Sequence, residues 1–574
     1  MKVSIILHKI IIIFTSGLFL VISAFNHTAS AQIFAPKHYP QHYFAWPLKA
    51  TIGIAANFGE LRPNHYHMGL DCRTDKKQNI PVLAAADGYI AKVKIEPYGF
   101  GRAIYINHPN GYSTLYAHLN DFYPALEKYV QEQQYKAQSW KIFLDIPPDL
   151  FPVNKEDFIA YSGNTGGSQG PHLHFEIRET QTDKVLNPLL FGMPLPDTVP
   201  PLVLRLAVYD RNSSSFEQVP SFYSLLKKGN YYTVTDSCIA FKSNKVSFAI
   251  TAVDKLSGSN NPTGIYEADL LANDQPMVGF QLDGISYDDT RYLNAHIDYK
   301  LKNSGGPFVQ HLSRLPGYPP GVYKEKGGNG MIDLDSTNGS SIQILVKDAA
   351  GNTSTIQFKI KAATIAAIPN PTNKSQYFQA GYLNVFENNQ LRFYLPEKAL
   401  YDAIHFNYVE PNTKTAFPIY SILNGNIPLQ TYFPVSIFAP ALKSNKVVMH
   451  RYWNGKHDYS KAPQDRGWFT ASFREFGNFQ LLIDSMAPTI SPVGFKEGMS
   501  CSKSKSLSFI VADNTEELSF SAWLDGAWIC FSNDKGRKFI YAFDEHCLPG
   551  KHELKIMASD QVGNTSEKIY HFTR

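Results

Sequence analysis

Five histidines, an aspartate and a glutamate fall at spacings that chemistry can use. HYHMGLD holds His65, His67 and Asp71; GPHLHFEIRE holds His172, His174 and Glu176; YAHL ends its strand-like run near His118. Imidazole nitrogens and carboxylate oxygens are ligand types that zinc accepts. Two nitrogens and one carboxylate leave a fourth position for water, as in catalytic rather than structural sites.

These groups need elements to position them. After the Gly-rich loop that ends at Pro171, strict alternation puts His172, His174 and Glu176 on one side and Leu173, Phe175 and Ile177 on the other. That pattern predicts a half-buried strand whose polar face carries two imidazoles about 7 Å apart, backed by a carboxylate. RAIYINHPNGYSTLYAHL reads as a hairpin of two alternating runs joined by His108-Pro109-Asn110-Gly111, which is turn chemistry. His118 shares a face with Thr114 and Tyr116 and, by itself, reads as a partnered strand-end histidine. His108 reads as part of the turn or as a support. In a straight strand His67 and Asp71 would lie about 13 Å apart, too far to meet at one ion. A bend is required, and Gly69 lies midway, freeing the backbone and adding no side chain. His65 fits neither a strand nor a helix geometry. His67 and Asp71 are therefore the candidate ligands of this stretch.

The stretches FGELRPNHYHMGLD, PVLAAADGYI, HPNGYSTLYAHL and SGNTGGSQGPHLHFEIR together resemble the lysostaphin-like, LytM-type zinc metalloendopeptidases, over residues 45 to 192. The resemblance implies an antiparallel β fold with one zinc in a groove, held by His67, Asp71 and His174. It implies His118 and His172 as the catalytic pair and a zinc-activated water that attacks a peptide carbonyl. Glu176 would orient a ligand imidazole from behind. Family members that activate cell-wall amidases lack parts of the metal set, whereas all five residues are present here. The chain departs from the pattern after His118, where FYPALEKYVQEQQYKAQSWKIFLDIPPDLF intervenes. This insertion reads as partly helical, and its place relative to the groove bears on substrate access.

The chain has 574 residues, enough for several domains of about 100 to 150 residues. With 33 Tyr, 38 Phe and 36 Pro, it leans toward strands and turns, so a mostly β protein is expected. A net charge of +4 is too dilute for a nucleic-acid surface. Residues 1–31 carry Lys2 and Lys9, an apolar run, then Ala29-Ser30-Ala31. They read as a secretory signal with no transmembrane span after its removal, which predicts export to the periplasm, cell envelope or beyond. Five cysteines are too few for a disulfide framework. Cys501, Cys530 and Cys547 leave room for one bridge whose partners spacing does not choose.

Internal repeats organise the remainder. DTVPPLV at Asp197 and DSMAPTI at Asp484 open two segments that DAAGNTS at Asp348 and DQVGNTS at Asp560 close. Each closing Gly-Asn predicts a tight turn between two strands. The pattern resembles bacterial immunoglobulin-like sandwiches. The predicted organisation is a signal (1–31), a LytM-type domain (32–196), an Ig-like sandwich (197–362), a β-sandwich of unclear type (363–483) and a second Ig-like sandwich (484–574). The sandwiches read as spacers or docking surfaces.

The expected function is a secreted zinc metalloendopeptidase acting on peptidoglycan cross-links or stem peptides, with other envelope proteins as partners of the C-terminal modules. Two alternatives stay open. One is a non-catalytic envelope scaffold or regulator of another cell-wall hydrolase. The other is a peptidase for protein substrates.

Overall fold

The computed structural model describes residues 32–363, 376–411, 417–515, 518–536 and 538–574. The predicted signal, residues 1–31, lies outside the described residues. Among the described residues no helix is long and apolar enough to cross a membrane.

The alternating runs of the N-terminal module pair into one antiparallel sheet. Its order is Ile54–Ala56, Leu70–Arg73, His172–Glu179, Tyr112–Ala117, Arg102–Asn107, Gly88–Ile95, Ile142–Asp145. A smaller sheet of Pro81–Leu83, Phe158–Ser162 and Leu119–Phe122 packs on it, and Leu70, Val82, Ile104, Tyr116, Leu119, Ile159, Leu173 and Phe175 fill the core between them. The predicted hairpin forms, with Asn107 opposite Ser113 and Gly111 at φ 83°.

One expectation fails. The strand His172–Glu179 is buried on both faces from residue 173 to 178, not half-buried. The alternation is real, but Phe100 and Tyr287, the latter from the next module, close over the polar face. Strand periodicity reports which face meets the strand's own core and carries no information about a later module laid on the other.

The insertion after His118 is helical over Pro124–Ala137, with proline in its first turn and Leu126, Val130 and Gln134 buried. It continues as Ile142–Asp145, which pairs with Gly88–Ile95 at the sheet edge away from the HxH strand.

The two closing motifs of the repeats are hairpins, Ser340–Lys347 with Thr353–Ala362 and Lys551–Asp560 with Thr565–Thr573. Gly351 and Gly563 sit at φ 93° and 86°, a region that residues with side chains avoid. Between the repeats, the described strands from Asn384–Glu387 to Gly477–Ile483 include a five-stranded and a four-stranded sheet. A single apolar core runs from Val203 to Leu481 and takes in Phe58, Tyr66 and Met68 of the N-terminal module; the last module has its own core, from Ile490 to Phe572. Strand Val185–Leu186 also pairs with Gly284–Ile285 across the first junction. All five cysteines are free.

Two buried histidines are expected to make the 12-stranded sheet module that follows the N-terminal one acid-sensitive. His296 and His311 are 0% and 2% exposed, and burial pushes both pKa values down to about 3. Unfolded, each takes up a proton below about pH 6.5. Their contribution is therefore fully present above that pH and is lost as pH falls toward 3. By about pH 5 the loss is about 2 kcal/mol per histidine. Urea melts at neutral and acid pH are expected to show it, and the His296→Gln, His311→Gln double variant is expected to flatten the dependence.

Candidate metal centre

Adjacent strands bring the candidate residues to one point. Asp71 lies directly opposite His174, and Ala117, the neighbour of His118, faces His174 from the other side. The bend expected within HYHMGLD is present: strand His65–Tyr66 ends, the chain turns through residues 67 to 69, and Leu70–Arg73 begins. Glycine is needed at position 69 for a reason other than room for an ion. A Cβ there would meet the Phe175 carbonyl at 2.4 Å and His174 Cε1 at 3.0 Å, so a side chain would push the bend off the HxH strand.

Three side chains converge. His67 Nε2 lies 2.9 Å from Asp71 Oδ1 and 3.0 Å from His174 Nδ1, and Asp71 Oδ1 lies 3.0 Å from His174 Nδ1. All three residues are buried. The other nitrogen of each imidazole is committed elsewhere. His67 Nδ1 donates to the Asn57 carbonyl at 2.7 Å, and His174 Nε2 donates to Glu176 Oε1 at 2.9 Å. Each ring thus turns a lone pair inward, beside a carboxylate oxygen. That donor set suits a divalent metal ion, whose charge would hold the three acceptors facing one another.

The electrostatics agree. Burial would raise the Asp71 carboxyl, but His67, His172 and His174 override it and hold it well below its ordinary range. Burial lowers His67. Burial also works against a charged His174, yet hydrogen bonds with Asp71 and Glu176 bring it up to about 9; a cation between the same groups replaces that proton.

His172 and His118 stand beside the three. His172 Nε2 is 3.3 Å from Asp71 Oδ1, while its Nδ1 donates to the Gly170 carbonyl at 2.8 Å. His118 and His172 have ring centroids 4.8 Å apart. His118 adopts φ 61°, an unusual conformation for a residue with a Cβ, where the chain leaves one sheet for the other. Its amide donates to the Phe100 carbonyl and its Nδ1 to the Thr165 carbonyl at 2.8 Å. Burial, then His172 and His174, push its pKa down to about 3, so it is neutral. His118 is thus a partnered histidine at the end of its strand, as its position suggested, and its ring also lies beside His172.

Glu176 is fully buried behind His174. Burial would raise its pKa, but Arg178, His174 and Tyr287 together bring it down to about 2. Arg178 Nε donates to Oε2 at 2.7 Å and the Tyr287 hydroxyl to Oε1 at 2.5 Å. His65 and His108 do not join the site. His65 is exposed and its ring contacts the Pro63 carbonyl; His108 bridges the Asp87 carbonyl and Thr114 Oγ1.

Sequence reasoning missed two supports. Arg62 Nη2 donates to Asp71 Oδ2 at 2.8 Å, and its place in ELRPNHYHMGLD was a usable signal. Tyr287 lies 111 residues from Glu176, and no local pattern points to it. The last module also reaches the site. Gly166 N donates to Asp534 Oδ1 at 2.7 Å, and Lys535 Nζ donates to Asn164 Oδ1 and to the Ser168 carbonyl. Tyr135 of the inserted helix stacks on His546, centroids 3.8 Å apart. The insertion carries this module, which braces the Gly-rich loop ahead of His172.

Residues 65–139 match the model of peptidase family M23, and residues 375–484 match that of a Zu5-like domain. The chain carries an M23 peptidase domain. The match stops short of His172 and His174, which strand pairing returns to it. The chain is 35% identical to an uncharacterized metalloprotease of Haemophilus influenzae, over 26% of this chain and 27% of that protein. It is 34% identical to the DD-carboxypeptidase/endopeptidase Mpg of Neisseria meningitidis, over 23% and 24%, and 28% identical to the peptidoglycan DD-endopeptidase ShyA of Vibrio cholerae, over 27% and 31%. The chain thus spans about a quarter to a third of the length of these relatives.

Proposed function

We propose that this protein is a zinc metalloendopeptidase of the cell envelope that hydrolyses peptide bonds in peptidoglycan cross-links or stem peptides. The observation that carries the reading is the convergence of His67 Nε2, Asp71 Oδ1 and His174 Nδ1, with both remaining ring nitrogens committed as donors. Two nitrogens and one carboxylate are a catalytic zinc set with a position to spare. The substrate class and the envelope location rest on the names of the relatives Mpg and ShyA and on the signal-like residues 1–31.

Zinc held by His67, Asp71 and His174 would supply a water with its pKa lowered to about 7 and would polarise the scissile carbonyl. His172 does the proton work. Its Nδ1 is fixed on Gly170, so Nε2 is free to take a proton from the attacking water, and Asp71 Oδ1 at 3.3 Å steadies the imidazolium that results. His172 then returns that proton to the departing amine, and His118, neutral and held by Thr165, faces the same space beside it. Arg62 and Glu176 keep Asp71 and His174 in place.

Tyr287 acts through Glu176. Tyr287→Phe removes one donor from a buried carboxylate that orients a ligand imidazole. It is expected to weaken zinc binding about tenfold, read by competition with a chromogenic chelator, while the melting temperature stays close to wild type.

The test of the reading is to load residues 32–574 with zinc, incubate them with purified peptidoglycan and measure released fragments by mass spectrometry. Peptide-cleaved fragments name the bond. Bound zinc with intact sacculi and intact peptides would sink it. The alternative is a non-catalytic envelope scaffold or regulator of another cell-wall hydrolase, and the contacts of Asp534 and Lys535 with the loop before His172 support it.

A further inference from the structure

Two aspartate triads stand apart from the histidine site. Asp197, Asp254 and Asp348 offer oxygens that all lie within 4.8 Å of one another, and so do Asp484, Asp513 and Asp560. They are one constellation built twice, once in each repeat. Asp348 Oδ1 accepts from the amides of Ala350 and Asn352, and Asp560 Oδ1 from those of Val562 and Asn564. Asn352 and Asn564 each donate Nδ2 to the neighbouring Oδ2 and to the main-chain carbonyl of Asp197 or Asp484. The third member follows a strand in each case, Asp254 after Lys245–Val253 and Asp513 after Ser506–Ala512.

That third member is what points to a ligand. Asp254 is 4% exposed, and its Oδ1 is sealed from solvent with no hydrogen-bond partner; Asp513 is half-buried and its Oδ2 accepts from Thr515, but its Oδ1 is likewise sealed and unpartnered. No lysine or arginine among the described residues pairs with any of the six. Burial first, and the like charges of Asp348 and Asp197 with it, raise Asp254 to about 7, eased only by the Lys255 amide. A buried carboxylate is retained where something compensates it. Oxygens that share one calcium ion at about 2.4 Å lie within about 5 Å of one another, and a donor set of oxygen alone selects a hard cation over zinc.

We infer that each aspartate triad binds a calcium ion, which locks a β-sandwich to the module before it. The positions fit that role. Asp197 opens the first sandwich, and Ser257 donates to it through both its amide and its hydroxyl, next to Leu256, which packs on the core of the peptidase domain. Asp484 follows the last strand of the preceding module, Gly477–Ile483, and its amide donates to the Lys446 carbonyl. At each junction the divalent ion offsets two of the three carboxylate charges, and at the second it fixes the module whose Asp534 and Lys535 brace the loop before His172.

The test uses the zinc-loaded chain, depleted of other metals and dialysed against calcium at about 10 mM, above the dissociation constants of about 10⁻⁴–10⁻³ M of extracellular calcium modules. About two calcium ions per chain are expected, with melting shifted up by about 3 °C or more. Asp254→Asn and Asp513→Asn are each expected to remove one ion, and the double variant both ions and the shift. Zinc content and the circular dichroism spectrum should stay at wild-type values. No bound calcium, a shift reproduced by sodium chloride at equal ionic strength, or full binding in the double variant overturns the inference.

Discussion

Alanine at His174 is expected to empty the metal site and lower peptide cleavage by on the order of 10⁴ or more. The substitution removes Nδ1, the atom that meets His67 Nε2 and Asp71 Oδ1 at 3.0 Å. Two protein ligands remain, one fewer than catalytic zinc sites use. The fold should survive, because the neighbour most exposed to the loss is provided for. Glu176 keeps its bonds from Arg178 and Tyr287, so no buried charge is left alone, and strand pairing on both sides of position 174 runs through the backbone. Zinc content near zero with an unchanged circular dichroism spectrum is the expected pair of readings. Full cleavage by the variant would remove the mechanism.

His172→Ala is expected to do the reverse: keep the zinc and lose about 10²–10⁴ in kcat, the range of a general base. His172 lies outside the three converging atoms, with Nε2 3.3 Å from Asp71 and Nδ1 anchored on Gly170. Removing it leaves those three contacts untouched. A variant that loses zinc would make His172 a ligand, and one that retains wild-type kcat would take proton transfer away from it. Measured side by side, the two variants separate holding the metal from moving the proton, which peptidoglycan turnover alone does not.

Much of this was legible because it is local. Alternation in HLHFEIR set which side chains face the core and which face the site, and Gly69 flagged the bend that lets His67 reach Asp71. The hairpin at HPNGY and the hairpins at Gly351 and Gly563 followed from turn chemistry, since few residues tolerate positive φ. The repeated DxxxP and DxxGN stretches marked two C-terminal segments that fold into β-sheets. His118 was harder. Its left-handed backbone, which swings the ring toward His172, comes from bonds to Phe100 and Thr165, and neither is a near neighbour in the chain.

The sequence by itself determined the ligand types, their spacing on strands and the turns between those strands, because strand period and turn conformation are set within a few residues. Only the tertiary structure decided that Asp71 faces His174, that Tyr287 seals the back of Glu176 and that the last module grips the loop before His172. Those contacts join residues from about one hundred to nearly four hundred positions apart. Register and module docking follow from which apolar faces bury one another, and that is a property of the whole chain.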